Sequence, residues 1–193
     1  MRPPQVAPAA RLISLDVFFY IAAINWAVTN KDAYNICSLN LSLGNSLQYT
    51  STCGAEPDAV AIAEARGAGL LTAVSAGNTK FKKGLTKPAC APAAVSVGAV
   101  YDADVGKRVM QGLCTDASTA ADAVTCYSNR APYMTMWAPG SVISPVVNRF
   151  SDGTSFAAPF VSGAVAVLRA AVPTASADDV AAALARGGVP VQV

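Results

Sequence analysis

The chain has 193 residues, enough for one ordinary domain with its own core. Hydrophobic residues make up 53% of it and charged residues only 13%, against a usual charged fraction of about 25%, which excludes intrinsic disorder. A formal charge of +2 gives no electrostatic footprint for nucleic acid, and the complete lack of histidine excludes histidine-ligated metals and histidine bases from within these residues.

Residues 11–18 (Arg11-Leu12-Ile13-Ser14-Leu15-Asp16-Val17-Phe18) read as a strand, partly alternating and rich in branched and aromatic side chains. They run into a helix over 20–30, where Ile21, Ile24 and Val28 recur at helical spacing. The apolar run 12–28 is broken by Asp16 and Asn25 and falls short of the roughly 20 residues of a membrane span. Trp26-Ala27-Val28-Thr29 is a poor cleavage site, so neither a membrane segment nor a signal peptide is expected. A strand over 36–43 stops at Gly44, and a helix over 56–66 closes at Gly67 and Gly69. Residues 70–76 and 94–100 are short, continuous apolar runs of the buried parallel type. The polar stretch 101–130 reads as a long loop or insertion. Strands are expected over 134–137 and 142–147, on either side of Pro139-Gly140. Residues 154–171 form a helix that is small or apolar on every face, hence central and buried, and 176–186 an amphipathic last helix. Strands alternating with helices predict an α/β domain around a mostly parallel sheet, with no repeat, linker or second domain.

Five cysteines include no Cys-x-x-Cys pair. Cys37 sits in an apolar run and reads as a small core residue. Cys53, Cys90, Cys114 and Cys126 lie in loop-like stretches, as two bridges in an oxidising compartment or as four reduced thiols.

Three segments carry the chemistry. In Asp152-Gly153-Thr154-Ser155-Phe156-Ala157-Ala158-Pro159, a serine stands between a glycine turn and a buried helix, facing the positive end of the helix dipole. The plainer reading is that Thr154 and Ser155 cap the helix. Asn78 follows a buried strand after Gly77; it could aim its amide at an oxyanion or serve as a turn residue tolerant of positive φ. Ser42-Leu43-Gly44 ends another strand, where backbone groups could pair with an extended peptide.

In this order the three segments resemble the subtilisin-like serine peptidases, the subtilases. Residues Gly153 to Pro159 resemble the family's nucleophile motif Gly-Thr-Ser-Met-Ala-x-Pro, with Phe156 in place of Met. Ser75-Ala76-Gly77-Asn78 resembles the segment of the oxyanion-hole asparagine, and Leu41-Ser42-Leu43-Gly44 the substrate-binding strand. Val6-Ala7-Pro8-Ala9-Ala10-Arg11-Leu12, Ser128-Asn129-Arg130 and Ala138-Pro139-Gly140 also fit, so the likeness covers residues 6 to 175. It implies a three-layer subtilisin-like α/β fold, here a partial peptidase domain over 1–193 with N-terminal strands and helices missing. It also implies a serine endopeptidase working through an acyl-enzyme on peptide or protein substrates, with no nucleic-acid or membrane partner. By resemblance Ser155 is the nucleophile, and Asn78 with the Ser155 amide forms the oxyanion hole. Ser42, Leu43, Gly44, Ser75, Ala76 and Gly77 flank the substrate, and the bridges are Cys53–Cys90 and Cys114–Cys126. The family suggests calcium and a secreted or extracytoplasmic location. No acidic cluster is specific enough to assign a calcium site, so no cofactor and no metal ligand is expected.

The pattern breaks at the triad. Subtilases order it Asp, His, Ser, and both the aspartate and the histidine belong before the segment matched by Val6 to Leu12. No histidine stands in for the missing one; Phe160 replaces only a non-catalytic family histidine. The loop after residue 17 is also shorter than the family's, which alters the outer subsites. In subtilisin itself, loss of the histidine costs on the order of a millionfold in turnover. These residues alone are therefore expected to be inactive. Two alternatives stay open: a pseudoprotease or peptide-binding module that keeps the cleft, and a Ser-Lys dyad using Lys80, Lys82 or Lys83.

Overall fold

The computed structural model describes residues 6–144 and 149–191. After a 3-10 turn at Val17–Phe19 come helix α1 (Tyr20–Tyr34), strand β1 (Ser38–Leu41), helix α2 (Pro57–Gly67), and strands β2 (Leu71–Ser75) and β3 (Val95–Val100). A hairpin of β4 (Arg108–Met110) and β5 (Cys114–Asp116) precedes β6 (Met136–Pro139). A second hairpin, β7 (Ser141–Ser144) with β8 (Arg149–Asp152), leads into α3 (Thr154–Ala171) and α4 (Ala177–Gly187).

The main sheet runs β1-β2-β3-β6, every neighbour parallel. All residues of β2 and β3 are buried, including the polar Thr72, Ser75 and Ser96, as strands covered on both faces must be. Side-chain alternation divides two cores. Leu71 and Ala73 join Ala157, Ala158, Val161 and Val165 of α3 and Val180 of α4 on one face. Val74 and Ala76 join Ile24 and Ala27 of α1 and Ile62 and Ala65 of α2 on the other. The result is the three-layer α/β architecture expected.

Three expectations are corrected. Residues 11–18 form no strand: no described strand pairs with them, Leu12 is 96% exposed, and Asp16 caps the short 3-10 turn by accepting from Phe18 N. A good β pattern needs a partner to become a ladder. Helix α3 is not buried all round. It packs one face on β1, β2, β3 and β6 and leaves Phe156 and Val167 exposed, although by length and composition alone it could cross a membrane. Cys37 is half-buried and free, not a core residue. The insertion is less irregular than expected, since it contains the β4–β5 hairpin. The strand expected over 134–137 begins two residues later, and of the one over 142–147, residues 145–147 lie outside the described residues.

Two disulfides are present, Cys53–Cys90 and Cys114–Cys126. The first closes a separation of 37 residues and the second one of 12, so loop-closure entropy gives them about 4 and about 3 kcal/mol respectively. Replacing Cys53 and Cys90 together by serine should lower stability in urea melts by about 2–4 kcal/mol, more than replacing Cys114 and Cys126.

Candidate active site

The site lies beyond the carboxyl ends of the parallel strands, where open α/β sheets collect ligands. Leu41 of β1 stands opposite Val74 of β2, so Ser42-Leu43-Gly44 and Ser75-Ala76-Gly77 leave the sheet side by side. Ser75 Oγ donates to Leu43 O at 3.3 Å and ties the two together.

Helix α3 begins beneath these ends. Its N-cap is Gly153, at φ 154° and ψ 149°, a region essentially closed to residues with a side chain. The cap position itself supplies no side-chain hydrogen bond, which sets aside the capping reading of Thr154 and Ser155. Thr154 instead reaches across to β2. Its amide and its hydroxyl both donate to Asn78 Oδ1, each at 2.9 Å, and its hydroxyl accepts from Gly77 N at 3.1 Å. Two donors on one side of Asn78 fix its carbonyl there, so its amide Nδ2 faces the other way. The turn reading of Asn78 is set aside as well, because the positive φ of 103° belongs to Gly77.

A second tie follows from proline chemistry. Pro159 has no amide hydrogen, so the carbonyl of Ser155, four residues back, loses its helical partner. Ser42 Oγ supplies the donor at 2.8 Å, and Asn40 Nδ2 in turn donates to Ser42 Oγ at 3.0 Å. The resulting cleft encloses about 360 Å³ and is lined by Ser42, Leu43, Gly44, Ser75, Gly77, Asn78 and Ser155 of the expected set, with Asn45, Thr86 and Thr154 added. Ala76 is the exception among the expected residues. Its side chain is buried in the core beneath α1 and α2, and only its carbonyl serves the site, accepting from Thr86 Oγ1 and Asn129 Nδ2.

The turn before Ser155 is braced from the insertion. Tyr127, fully buried, donates to Gly140 O at 2.6 Å and accepts from Gly153 N at 3.0 Å. Asp152 pairs with Arg108 of β4 at 2.8 Å and accepts from Ser141 Oγ at 2.5 Å. Sequence reasoning missed Tyr127, Thr86 and the cross-link made by Thr154. Of these only Thr154 had a signal, its place in the nucleophile motif.

With this geometry in place, the comparisons with known proteins are decisive. The model of the Subtilase family matches residues 6–187. The chain belongs to the subtilase family. It is 33% identical over 168 residues to Subtilisin-like protease 3 of Arthroderma benhamiae, an alignment covering 82% of this chain and 36% of that protein. A subtilisin-like protease of Coccidioides posadasii is 33% identical over 158 residues, covering 78% of this chain and 33% of its own length. The chain thus spans about a third of the curated relatives it matches. The crystal structure of a cold-adapted subtilisin-like serine proteinase shares the fold, with a TM-score of 0.66, 22% identity and coverage of 90% of this chain and 55% of that one.

Calcium in a subtilase needs a cage of six to eight oxygen ligands. Among the described residues no group of three or more acidic, histidine or cysteine side chains is placed to hold an ion. Lys80, Lys82 and Lys83 are exposed and are not among the residues lining the cleft; partial burial and then Arg130 lower the Lys82 pKa.

Burial pushes the Tyr127 phenol up to about 12. The folded pKa lies above the usual value near 10, so the stability linked to the neutral phenol is complete below about pH 10 and is lost as pH rises toward 12. Tyr127→Phe should cost about 0.5–1.5 kcal/mol at pH 7, since it removes the hydroxyl's two bonds while the Gly153 amide still donates to the Gly140 carbonyl at 2.9 Å. In urea melts the gap to the parent protein should narrow above pH 10; a gap independent of pH would show the hydroxyl is not held in this way.

Proposed function

We propose that this chain is the nucleophile-bearing and substrate-binding part of a serine endopeptidase, a single partial domain over 1–193 with peptide or protein substrates. The observation that carries the reading is the double hydrogen bond from Thr154 to Asn78, which joins two segments 76 residues apart at the mouth of the cleft. In this reading Ser155 Oγ attacks the scissile carbonyl. Asn78 Nδ2 and the Ser155 amide, at the positive end of α3, donate to the oxygen as it becomes negative. Substrate main chain lies between Ser42-Leu43-Gly44 and Ser75-Ala76-Gly77. Leu43, Gly44 and Asn45 also border a second cleft of about 350 Å³ with Val17, Tyr20 and Lys87, so an extended peptide on this strand meets both.

In this reading Ser155 has no histidine to take its proton, since the sequence contains none, and among the described residues no lysine lines the cleft. The chain alone is therefore inactive, and aspartate and histidine must come from a polypeptide segment outside these residues. The same absence favours a second reading, a peptide-binding module that keeps the cleft without hydrolysis. Two disulfides support an oxidising, extracytoplasmic location, and the pI near 8.3 offers no reason to add nucleic acid as a partner.

Hydrolysis of fluorogenic peptides should run at the same background rate for the chain and for Ser155→Ala. Adding a segment with the family's aspartate and histidine should restore cleavage that depends on Ser155 and falls by roughly 10²–10³ in Asn78→Ala. Ser155-dependent cleavage by the unaided chain would refute the inactivity. Peptide binding without any restored cleavage would favour the binding module.

A further inference from the structure

One loop begins and ends at the cleft and carries a cluster of positive charge. Asn78 and Thr86 both line the cleft, and residues 79–85 run between them along its rim. Within that stretch stands Lys80-Phe81-Lys82-Lys83, its three lysines exposed and its phenylalanine half-buried. Arg130 joins them, since its amide donates to Phe81 O and its carbonyl accepts from Gly84 N, each at 2.9 Å.

The backbone under these cations is fixed. Asn129 is fully buried, and its Oδ1 accepts from Thr79 N at 3.1 Å, Thr79 Oγ1 at 3.0 Å and Phe81 N at 2.9 Å. Its Nδ2 donates to Ala76 O at 3.0 Å and so ties the loop to the end of β2. Lys80 N donates to Tyr127 O at 3.1 Å, and Lys80 itself is held at φ 63°, where side chains are uncommon. Like charges are thus kept together. Partial burial and then Arg130 lower the Lys82 pKa, against a smaller upward pull from Asp116. Among the described residues, the ion pairs use Lys31, Arg66, Lys87 and Arg108 as cations, and none involves Lys80, Lys82, Lys83 or Arg130. Charge of one sign on a rigid rim attracts and steers groups of the opposite sign.

We infer that this rim loop, with Arg130, docks the acidic side chains of a polypeptide whose main chain lies in the cleft, so that peptides flanked by aspartate or glutamate are favoured. The inference rests on the peptide-binding reading of the cleft proposed above. Because the loop starts at Asn78 and returns at Thr86, a main chain bound in the cleft lies beside the rim, within reach of flexible lysine stems. Lysine ammonium groups are compact charges with rotatable donors, so they accept carboxylates in many geometries. The charge is local, since the chain as a whole carries only +2, and it lacks the broad basic face that nucleic acid requires. Each exposed pair contributes a factor of roughly 1.5–5 and is screened by salt, so the effect depends on several pairs acting together.

The test is a titration of the isotope-labelled protein with two peptides that share an alanine core and are flanked on both sides by glutamates or by glutamines. The NMR amide signals of Gly77, Asn78 and residues 80–83 report where each peptide lies. At low salt the glutamate peptide should bind about five- to twentyfold more tightly and move both sets of signals, and about 0.5 M salt should erase the gain. Replacing Lys82→Gln and Lys83→Gln together should remove most of the gain and leave the glutamine peptide's affinity unchanged. Equal affinity of the two peptides, or a gain that survives the double replacement, would overturn the inference and leave the cleft reading intact. An oligothymidylate of equal charge that binds as tightly as the glutamate peptide would also overturn it, in favour of an unselective anion surface. No movement at Gly77 or Asn78 with either peptide would overturn the cleft reading and this inference with it.

Discussion

The first turn of α3 is held by the strand ends rather than by itself, and the site depends on this constraint. A helix start normally satisfies its free amides with a capping side chain. Here the cap position is a glycine in a conformation other residues cannot adopt, so the helix has no local cap to use. Asn78 supplies the missing acceptor from β2, and Ser42 supplies from β1 the donor that Pro159 removes. Each deficiency is local to the Gly153–Pro159 segment and each remedy comes from a distant strand end. The helix therefore cannot form its native start without bringing Ser155 to Asn78 and Ser42. Assembly of the cleft and capping of the helix are one event.

The same logic explains what was legible in the sequence. Strands β2 and β3 could be read because burial on both faces leaves only apolar or small residues, and α3 could be read because its small-residue pattern has a clear start at Gly153. Short motifs mark Ser155, Asn78 and the Ser42-to-Gly44 segment, and all of them line one cleft. Residues 11–18 misled, since β pattern records what a strand would look like and not whether a neighbour pairs with it. Ala76 differs from its neighbours in where its side chain goes. Period-two alternation sends Ser75 and Gly77 toward the cleft and the intervening side chain into the opposite core, and a motif read as a block conceals that alternation. Tyr127 had no local signal. Its hydroxyl acts on Gly140 and Gly153, and only the packing of the insertion against the β7–β8 hairpin reveals that.

A cleft of this design also separates binding from proton transfer. In the proposed reading, the donors at Asn78 and at the α3 terminus stabilise negative charge without moving a proton. Such donors together with substrate binding retain roughly 10³–10⁴ over water when the triad is lost in subtilisin itself. The geometry among Asn78, Thr154 and Gly77 needs no histidine to hold it, since every bond in it is supplied by strand ends and helix start. That is why the residues present make an ordered cleft although the sequence contains no histidine.

The bracing of Asp152 reaches into the insertion. Arg108 and Asp152 are both largely buried, so either partner left alone would be an uncompensated charge in a poorly solvated place. The pair stays only while the β4–β5 hairpin lies against β8, one residue before Gly153. The hairpin is fastened there a second time, because Tyr101 donates to Asp116 at 2.7 Å and Asp116 accepts from the amide of Cys126 at 3.0 Å, beside the Cys114–Cys126 bridge. Tyr127 follows Cys126 directly and carries the restraint to Gly153. The insertion is thus a clamp on the turn before Ser155. An irregular polar stretch persists there because its two short strands, one ion pair and one buried phenol fix the glycine that lets Ser155 start its helix.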